Sequence, residues 1–146
     1  MANLLQIGDV VERTGLTHRA LHYYEEIGLL VPSVKLDGGM RLYIEEDLRR
    51  INRILEMRAL LGLSLKEIKR MLEAEESRAS LLLSAQNEPT VENRRADLEK
   101  ALAIAQEQLD QVRSRLEQMR ILEGRLADEL LSLREALDST ASRNGE

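Results

Sequence analysis

Thr14-Gly15-Leu16-Thr17-His18-Arg19-Ala20-Leu21-His22-Tyr23-Tyr24-Glu25-Glu26-Ile27-Gly28 is the stretch whose reading decides the fold. Gly15 tolerates positive φ, so it closes the short helical pattern running from Asp9 to Arg13. Thr17 stands where an N-cap belongs, and Arg19 to Ile27 then carries helical spacing up to Gly28. Two short helices joined by a glycine-containing turn are the outline of a helix-turn-helix. On the second helix Ala20, Leu21 and Tyr24 share an inward side, and His18, Arg19, His22 and Tyr23 face outward near its start. A recognition helix presents its N-terminal residues to base edges. Arg19 suits guanine or phosphate, and tyrosine hydroxyls suit phosphate oxygens. A lone Arg would be an ordinary surface residue; the cluster after a turn carries the signal.

Downstream, Val31 to Tyr43 is β-branched and turn-rich, with Asp37-Gly38-Gly39 between two short strands. This pattern predicts a β-hairpin, with Pro32 confining the first strand to an edge or a start. Lys35 and Arg41 flank its thin glycine tip, where backbone amides can approach a phosphate. Glu45-Glu46-Asp47 loads acid onto the first turn of a third helix, as the helix dipole prefers. Leu48, Ile51, Leu55, Met57 and Leu60 give that helix an apolar face up to Gly62. Ser64-Leu65-Lys66-Glu67 is a capping box opening a further helix through Leu72, with Lys66 and Lys69 just inside it. Its free amides suit a phosphate. Glu25-Glu26 reads as a pair of helix-surface acids.

Residues 73–90 read as a less regular join with a short helix around Leu81-Leu82-Leu83, broken at Asn87-Glu88-Pro89-Thr90. From 91 to 137 the chain falls into heptads. Leu102, Leu109, Leu116, Glu123, Leu130 and Leu137 occupy a; Val91, Leu98, Ala105, Val112, Met119, Leu126 and Leu133 occupy d. Glu123 alone interrupts the apolar seam, which is a coiled-coil pattern. Such a stripe, on the order of 70 Å long at ~1.5 Å per residue, needs a partner, and a second copy is the economical one. The expected organisation is mainly α: a winged helix-turn-helix domain over 1–74, a connecting segment over 75–90, a dimerisation helix over 91–137 and a flexible polar tail over 138–146.

Composition narrows the function. The chain has 146 residues, 43% hydrophobic and only 2% aromatic, so its core is aliphatic and suits helix packing. It has no cysteine, and His18 and His22 are its only histidines, so disulfides and a zinc site are excluded. No apolar run approaches the ~20 residues of a membrane span, and Met1 to Gln6 lacks a signal peptide's basic region, which together point to the cytoplasm. The net charge of -5 is unevenly spread. Residues 1–72 hold 11 basic against 10 acidic residues, and residues 73–146 hold 10 against 16. The acidity therefore belongs to the C-terminal half. No nucleophile–base arrangement, phosphate loop or metal ligand set is present, so an enzyme is not expected.

Taken together, Ile7-Gly8-Asp9-Val10, Thr14-Gly15-Leu16-Thr17, Arg19 through Leu30, Gly39-Met40-Arg41-Leu42-Tyr43, Glu46-Asp47-Leu48 and Leu61 through Ile68 resemble the MerR family of transcription regulators. The blocks span residues 5–72, about half the chain, in the family's order and spacing. The long helix is also similar to the family's, where it forms an antiparallel dimer coiled coil. The resemblance implies a helix-turn-helix in the major groove and two wings on the backbone. It places Arg19, Tyr23 and Tyr24 on the recognition helix, Arg41 and Tyr43 on the first wing and Lys66 on the second. It further implies a homodimer on an inverted-repeat promoter, distorting the spacer between promoter elements so that RNA polymerase engages both through the DNA. Met40 departs from the usual aromatic, His22 from a frequent arginine, and Ile44 from a Ser or Thr cap.

The expected DNA contacts are thus Thr17, His18, Arg19, His22, Tyr23, Tyr24, Lys35, Gly39, Arg41, Tyr43, Lys66 and Lys69. The dimer seam comprises Leu98, Leu102, Ala105, Leu109, Val112, Leu116, Met119, Leu126, Leu130 and Leu133. The family's metal sensors use cysteines and its drug sensors an added domain. Neither is seen after Leu137, so no bound cofactor is expected; a small-molecule effector is left open, with the Leu81–Leu83 groove against the long helix as its site. The competing reading is a coiled-coil adaptor whose N-terminal domain docks a protein.

Overall fold

The computed structural model describes residues 3–145 and follows the order β1 (Leu5–Gln6), α1 (Ile7–Thr14), α2 (His18–Glu26), β2 (Val34–Lys35), β3 (Arg41–Tyr43), α3 (Glu45–Leu61), α4 (Leu65–Asn87), α5 (Val91–Arg143). The chain divides into two compact units, one ending at Glu76 and one beginning at Ser77.

Each turn in the first unit has a local cause. The Asp9 carboxylate accepts from the Gln6 amide at 2.9 Å and caps α1, and Gly15 ends it at φ 75°. Thr17 Oγ1 accepts from the Ala20 amide at 3.1 Å, fixing the start of α2. Gly28, also at φ 75°, turns the chain so that the Leu29 amide donates to Tyr24 O at 2.9 Å. Ile44 has no oxygen with which to cap α3, and Asp47 substitutes from inside the helix. Its Oδ2 accepts from the Ile44 amide at 2.9 Å and from Ser33 Oγ at 2.7 Å. Those two partners explain why a carboxylate is tolerated in a buried position. The Ser64–Glu67 capping box is reciprocal, at 2.7 and 3.2 Å.

The hairpin forms as read, with Val34 opposite Leu42 and Lys35 opposite Arg41. The sequence reading missed β1, whose Leu5 and Gln6 pair with Tyr43 and Leu42 and make β3 the central strand of the sheet β1-β3-β2. The helices pack their apolar faces around Val10, Leu21, Leu29, Leu30, Tyr43, Ile51, Ile54 and Ile68.

Three expectations are corrected. On α3 the buried face is Leu48, Ile51, Ile54 and Met57; Leu55 is only half-buried and Leu60 is exposed, because the true stripe steps by three residues. Residues 65–87 form one helix, not a helix ending at Leu72 followed by an irregular join with a separate Leu81–Leu83 helix. Nothing between Leu65 and Asn87 breaks it, and its Glu, Ala and Leu residues are strong helix formers. The segment read as a flexible tail is helical to Arg143.

In the second unit, the end of α4 folds back on the start of α5. Ala85 and Ala101 are both buried, and their small size allows close approach. Ser84 Oγ donates to Asp97 at 2.7 Å, Arg78 to Gln108, and Thr90 caps α5 by accepting from the Asn93 amide at 3.3 Å. Among the described residues most of the heptad stripe is exposed, Leu102 and Leu137 to about 70%.

The corrected face of α3 is testable by urea denaturation. Ile54→Ala should lose about 2–5 kcal/mol, the usual cost of truncating a buried aliphatic side chain. Leu60→Ala should stay within about 0.5 kcal/mol. Equal losses would contradict the assignment.

Candidate nucleic-acid interface

Capping by Thr17 commits Leu21 and Tyr24 to the core and leaves the opposite face of α2 in solvent. His18, Arg19 and His22 are exposed there, and Tyr23 is about half exposed. The hairpin stands beside this face. His22, Glu25 and Glu26 of α2 and Lys35 and Arg41 of the hairpin line one open cleft of about 530 Å³ with Leu30, Val31 and Pro32.

The two elements are joined by a carboxylate. Glu25, whose side chain is only 8% exposed, forms an ion pair with Arg41 Nε at 2.6 Å and accepts a hydrogen bond from the Tyr43 hydroxyl. Arg41 Nη1 also lies 3.4 Å from His22 Nδ1. The arginine is therefore tied to α2 by its Nε, and only part of its guanidinium is open to a phosphate. Burial first, then the hydrogen bond and charge of Glu25, push the Tyr43 hydroxyl well above the usual tyrosine range; Arg41 opposes the shift.

The expected contacts therefore separate. Thr17, His18, Arg19, His22 and Tyr23 share the open face and entry of α2; Lys35 and Gly39 are exposed on the hairpin; Lys66 is exposed on α4. Tyr24 and Tyr43 are core residues, 2% and 0% exposed, and the Tyr24 hydroxyl accepts from Arg58 at 3.4 Å. Neither side chain belongs to the open surface; the paired aromatics of α2 point to opposite sides of it. Lys69 is half-buried, with Nζ beside Gly28 and 3.9 Å from Glu73, so the end of α2 holds it back from solvent. Glu25, read as a surface acid, is the functional residue the sequence reading missed. Its place directly after inward Tyr24 and four residues after inward Leu21 was the available signal.

Another pair secures the frame. Arg13 of α1 donates two hydrogen bonds to Glu45 in the first turn of α3, at 2.6 and 3.0 Å. That hydrogen bonding, opposed by burial and aided by the charges of Arg13 and Arg49, holds the Glu45 carboxyl below the usual carboxylate range. Both partners are about half exposed, so the pair orients more than it stabilises.

Residues 5–75 match the family described as MerR HTH family regulatory protein. The regulator YfmP of Bacillus subtilis, described as an HTH-type transcriptional regulator, is 39% identical over 69 residues, covering 47% of this chain and 49% of YfmP. The nodulation protein NolA of Bradyrhizobium elkanii is 44% identical over 77 residues, covering 53% of this chain and 35% of NolA. The chain thus spans about half or less of the length of these relatives. Among solved structures, the N-terminal part of the Bacillus subtilis multidrug transporter activator, MtaN, is 30% identical over 79% of this chain and 93% of that one, with a TM-score of 0.44.

The state of Tyr43 gives a pH prediction. A folded-state value raised above that of the unfolded chain contributes stability below about pH 10, and this is lost as pH rises beyond it. Denaturation midpoints should therefore fall between pH 9 and 11, and less steeply in Tyr43→Phe. Parallel curves would show that the hydroxyl ionises freely.

Proposed function

Because residues 5–75 are a MerR-family helix-turn-helix domain, we propose that the chain is a sequence-specific, DNA-binding transcription regulator acting as a homodimer. The observation that carries this reading is the exposed cluster His18, Arg19, His22 and Tyr23 at the start of α2, with the hairpin cations Lys35 and Arg41 across one cleft. The exposed face of α2 enters the major groove, where Arg19 reads a base edge and Tyr23 grips the adjoining phosphate. The hairpin, with Lys35 and the thin Gly38-Gly39 tip, follows the backbone, and Lys66 at the N-terminus of α4 makes a second backbone contact. Arg41 belongs to this surface as a strut as well as a cation.

The seam of α5 supports self-association through Leu98, Leu102, Ala105, Leu109, Val112, Leu116, Met119, Leu126, Leu130 and Leu133. All are exposed except half-buried Ala105. A two-fold dimer requires an inverted-repeat operator. Binding over a promoter spacer distorts the DNA, at a cost of several kcal/mol that backbone contacts offset, and so brings the promoter elements into register for RNA polymerase. Polymerase is then engaged through the DNA rather than by a docking surface. Cytoplasmic location goes with this role, and no helix among the described residues is long and apolar enough to cross a membrane.

Fluorescence anisotropy on duplex DNA tests the proposal. Affinity should fall steeply with salt because phosphate contacts release counterions. Arg19→Ala should cost about 1–3 kcal/mol and relax discrimination at one base pair. Lys66→Ala should weaken all sequences alike and lower the salt slope by about 1. A salt-insensitive affinity, or none at low salt, would contradict DNA binding and favour the docking of a protein.

A further inference from the structure

We propose that Leu36 and Met40, on the outer face of the hairpin tip, pack against the deoxyribose wall of the minor groove beside the major groove that α2 enters, and that they select sites by base steps α2 never touches. The inference rests on the DNA-binding reading above and gives that surface an apolar half. Alternation along the strands gives the hairpin two faces. Tyr43 and Arg41 point to one, where Tyr43 is buried and Arg41 meets Glu25; Lys35, opposite Arg41, shares it. Leu42 and Val34, opposite each other, point to the other face. The ladder continues past Lys35 and Arg41, because the Leu36 amide donates to Met40 O at 2.8 Å. Leu36 and Met40 are therefore a cross-strand pair on the Val34–Leu42 side. Gly38 and Gly39, at φ 91° and 87°, close the turn without side chains. The ribbon thus ends in two large apolar side chains, 44% and 50% exposed.

The two faces sort by what they meet. His22, Lys35 and Arg41 line the cleft between α2 and the hairpin. With α2 in a major groove, that cleft takes the sugar–phosphate strand edging the groove, and the hairpin stands on the strand's far side, in the adjacent minor groove. Its cationic face is turned back toward the straddled strand. Its apolar face is turned to the opposite wall, which presents sugar C–H groups. Glu25 does not oppose a phosphate there, because Arg41 neutralises it. Glu26 also lines the cleft, one helical turn or ~6 Å beyond His22, so the strand is held at the His22 end. A tip that only clamped phosphates would carry hydroxyls or cations, since Leu and Met side chains donate no hydrogen bond to a phosphate oxygen.

Selectivity follows from thickness. The two strands of a ribbon lie ~5 Å apart, and Leu36 and Met40 add their side chains on one side. The minor groove of B-form DNA is ~6 Å wide, and A-tracts narrow it further. Seating the tip therefore requires the groove to open. Flexible TA and CA/TG steps open at low cost, and A-tracts resist. The tip thus reads deformability at positions flanking the bases that α2 contacts.

The test is selection of bound duplexes from a random-sequence library by the full-length chain and by a double variant, Leu36→Ser with Met40→Ser. Both side chains are exposed, so the variant should melt close to the natural chain. The natural chain should enrich a core sequence flanked by flexible steps and depleted of A-tracts. The double variant should keep the core and lose the flanking preference. On one selected duplex its affinity should fall about tenfold with the salt slope unchanged, because apolar packing releases no counterions. Lys35→Ala should lower that slope, and Met40→Leu should bind like the natural chain. Unchanged affinity and flanking preference in the double variant would overturn the proposal, and a lower melting temperature alongside them would show that the pair serves only the hairpin. A reduced salt slope in the double variant would also overturn it, since the tip would then hold a phosphate. Failure of the natural chain to enrich any sequence would refute the DNA-binding reading itself, an outcome distinct from a core enriched without flanking preference.

Discussion

The buried carboxylate of Glu25 is the constraint on which the rest of the N-terminal unit depends. It holds Arg41 at 2.6 Å, accepts the Tyr43 hydroxyl, and so joins the helix to the strand. A carboxylate this buried is costly unless it is paired and hydrogen-bonded, and here it is both. Tyr43 is also the last residue of the central strand β3, opposite Leu5, and lies at the heart of the core. The exposed face of α2 and the hairpin are therefore set relative to each other by a core contact, and not by flexible surface side chains. An interface that reads bases with one element and grips the backbone with another needs that fixed relation.

Much of this architecture was legible from local chemistry. Gly15, Gly28, Thr17 and the Ser64–Glu67 box mark helix ends through requirements on φ and on free amides, and such requirements do not depend on distant residues. What escaped depends on tertiary context. β1 is two residues long and exists because β3 offers it an edge. The burial of Ile54 in place of Leu60 reflects where α3 meets its neighbours, which periodicity alone places only to within a residue or two. α4 continues through residues 73–87 because they are good helix formers, although their apolar residues show no regular spacing.

The site was legible to a similar degree. The exposed cluster His18, Arg19, His22 and Tyr23 follows from helical phase once Thr17 is recognised as a cap. Phase also placed Tyr24 inside, and the family resemblance pulled it outward; the structure agrees with phase. Glu25 escapes a reading that equates charge with solvent. Two opposite charges and a hydroxyl brought together across 18 residues are invisible to any local pattern.

The account's central claim is that α2 and the hairpin grip duplex DNA as one unit, once per protomer. Hydroxyl-radical footprinting on the region upstream of the protein's own gene tests it most directly. The account predicts two protected half-sites related by an inverted repeat, each with a backbone protection beside the major-groove contact, and distorted bases at the centre. A single isolated protection, or none at low salt, would contradict it.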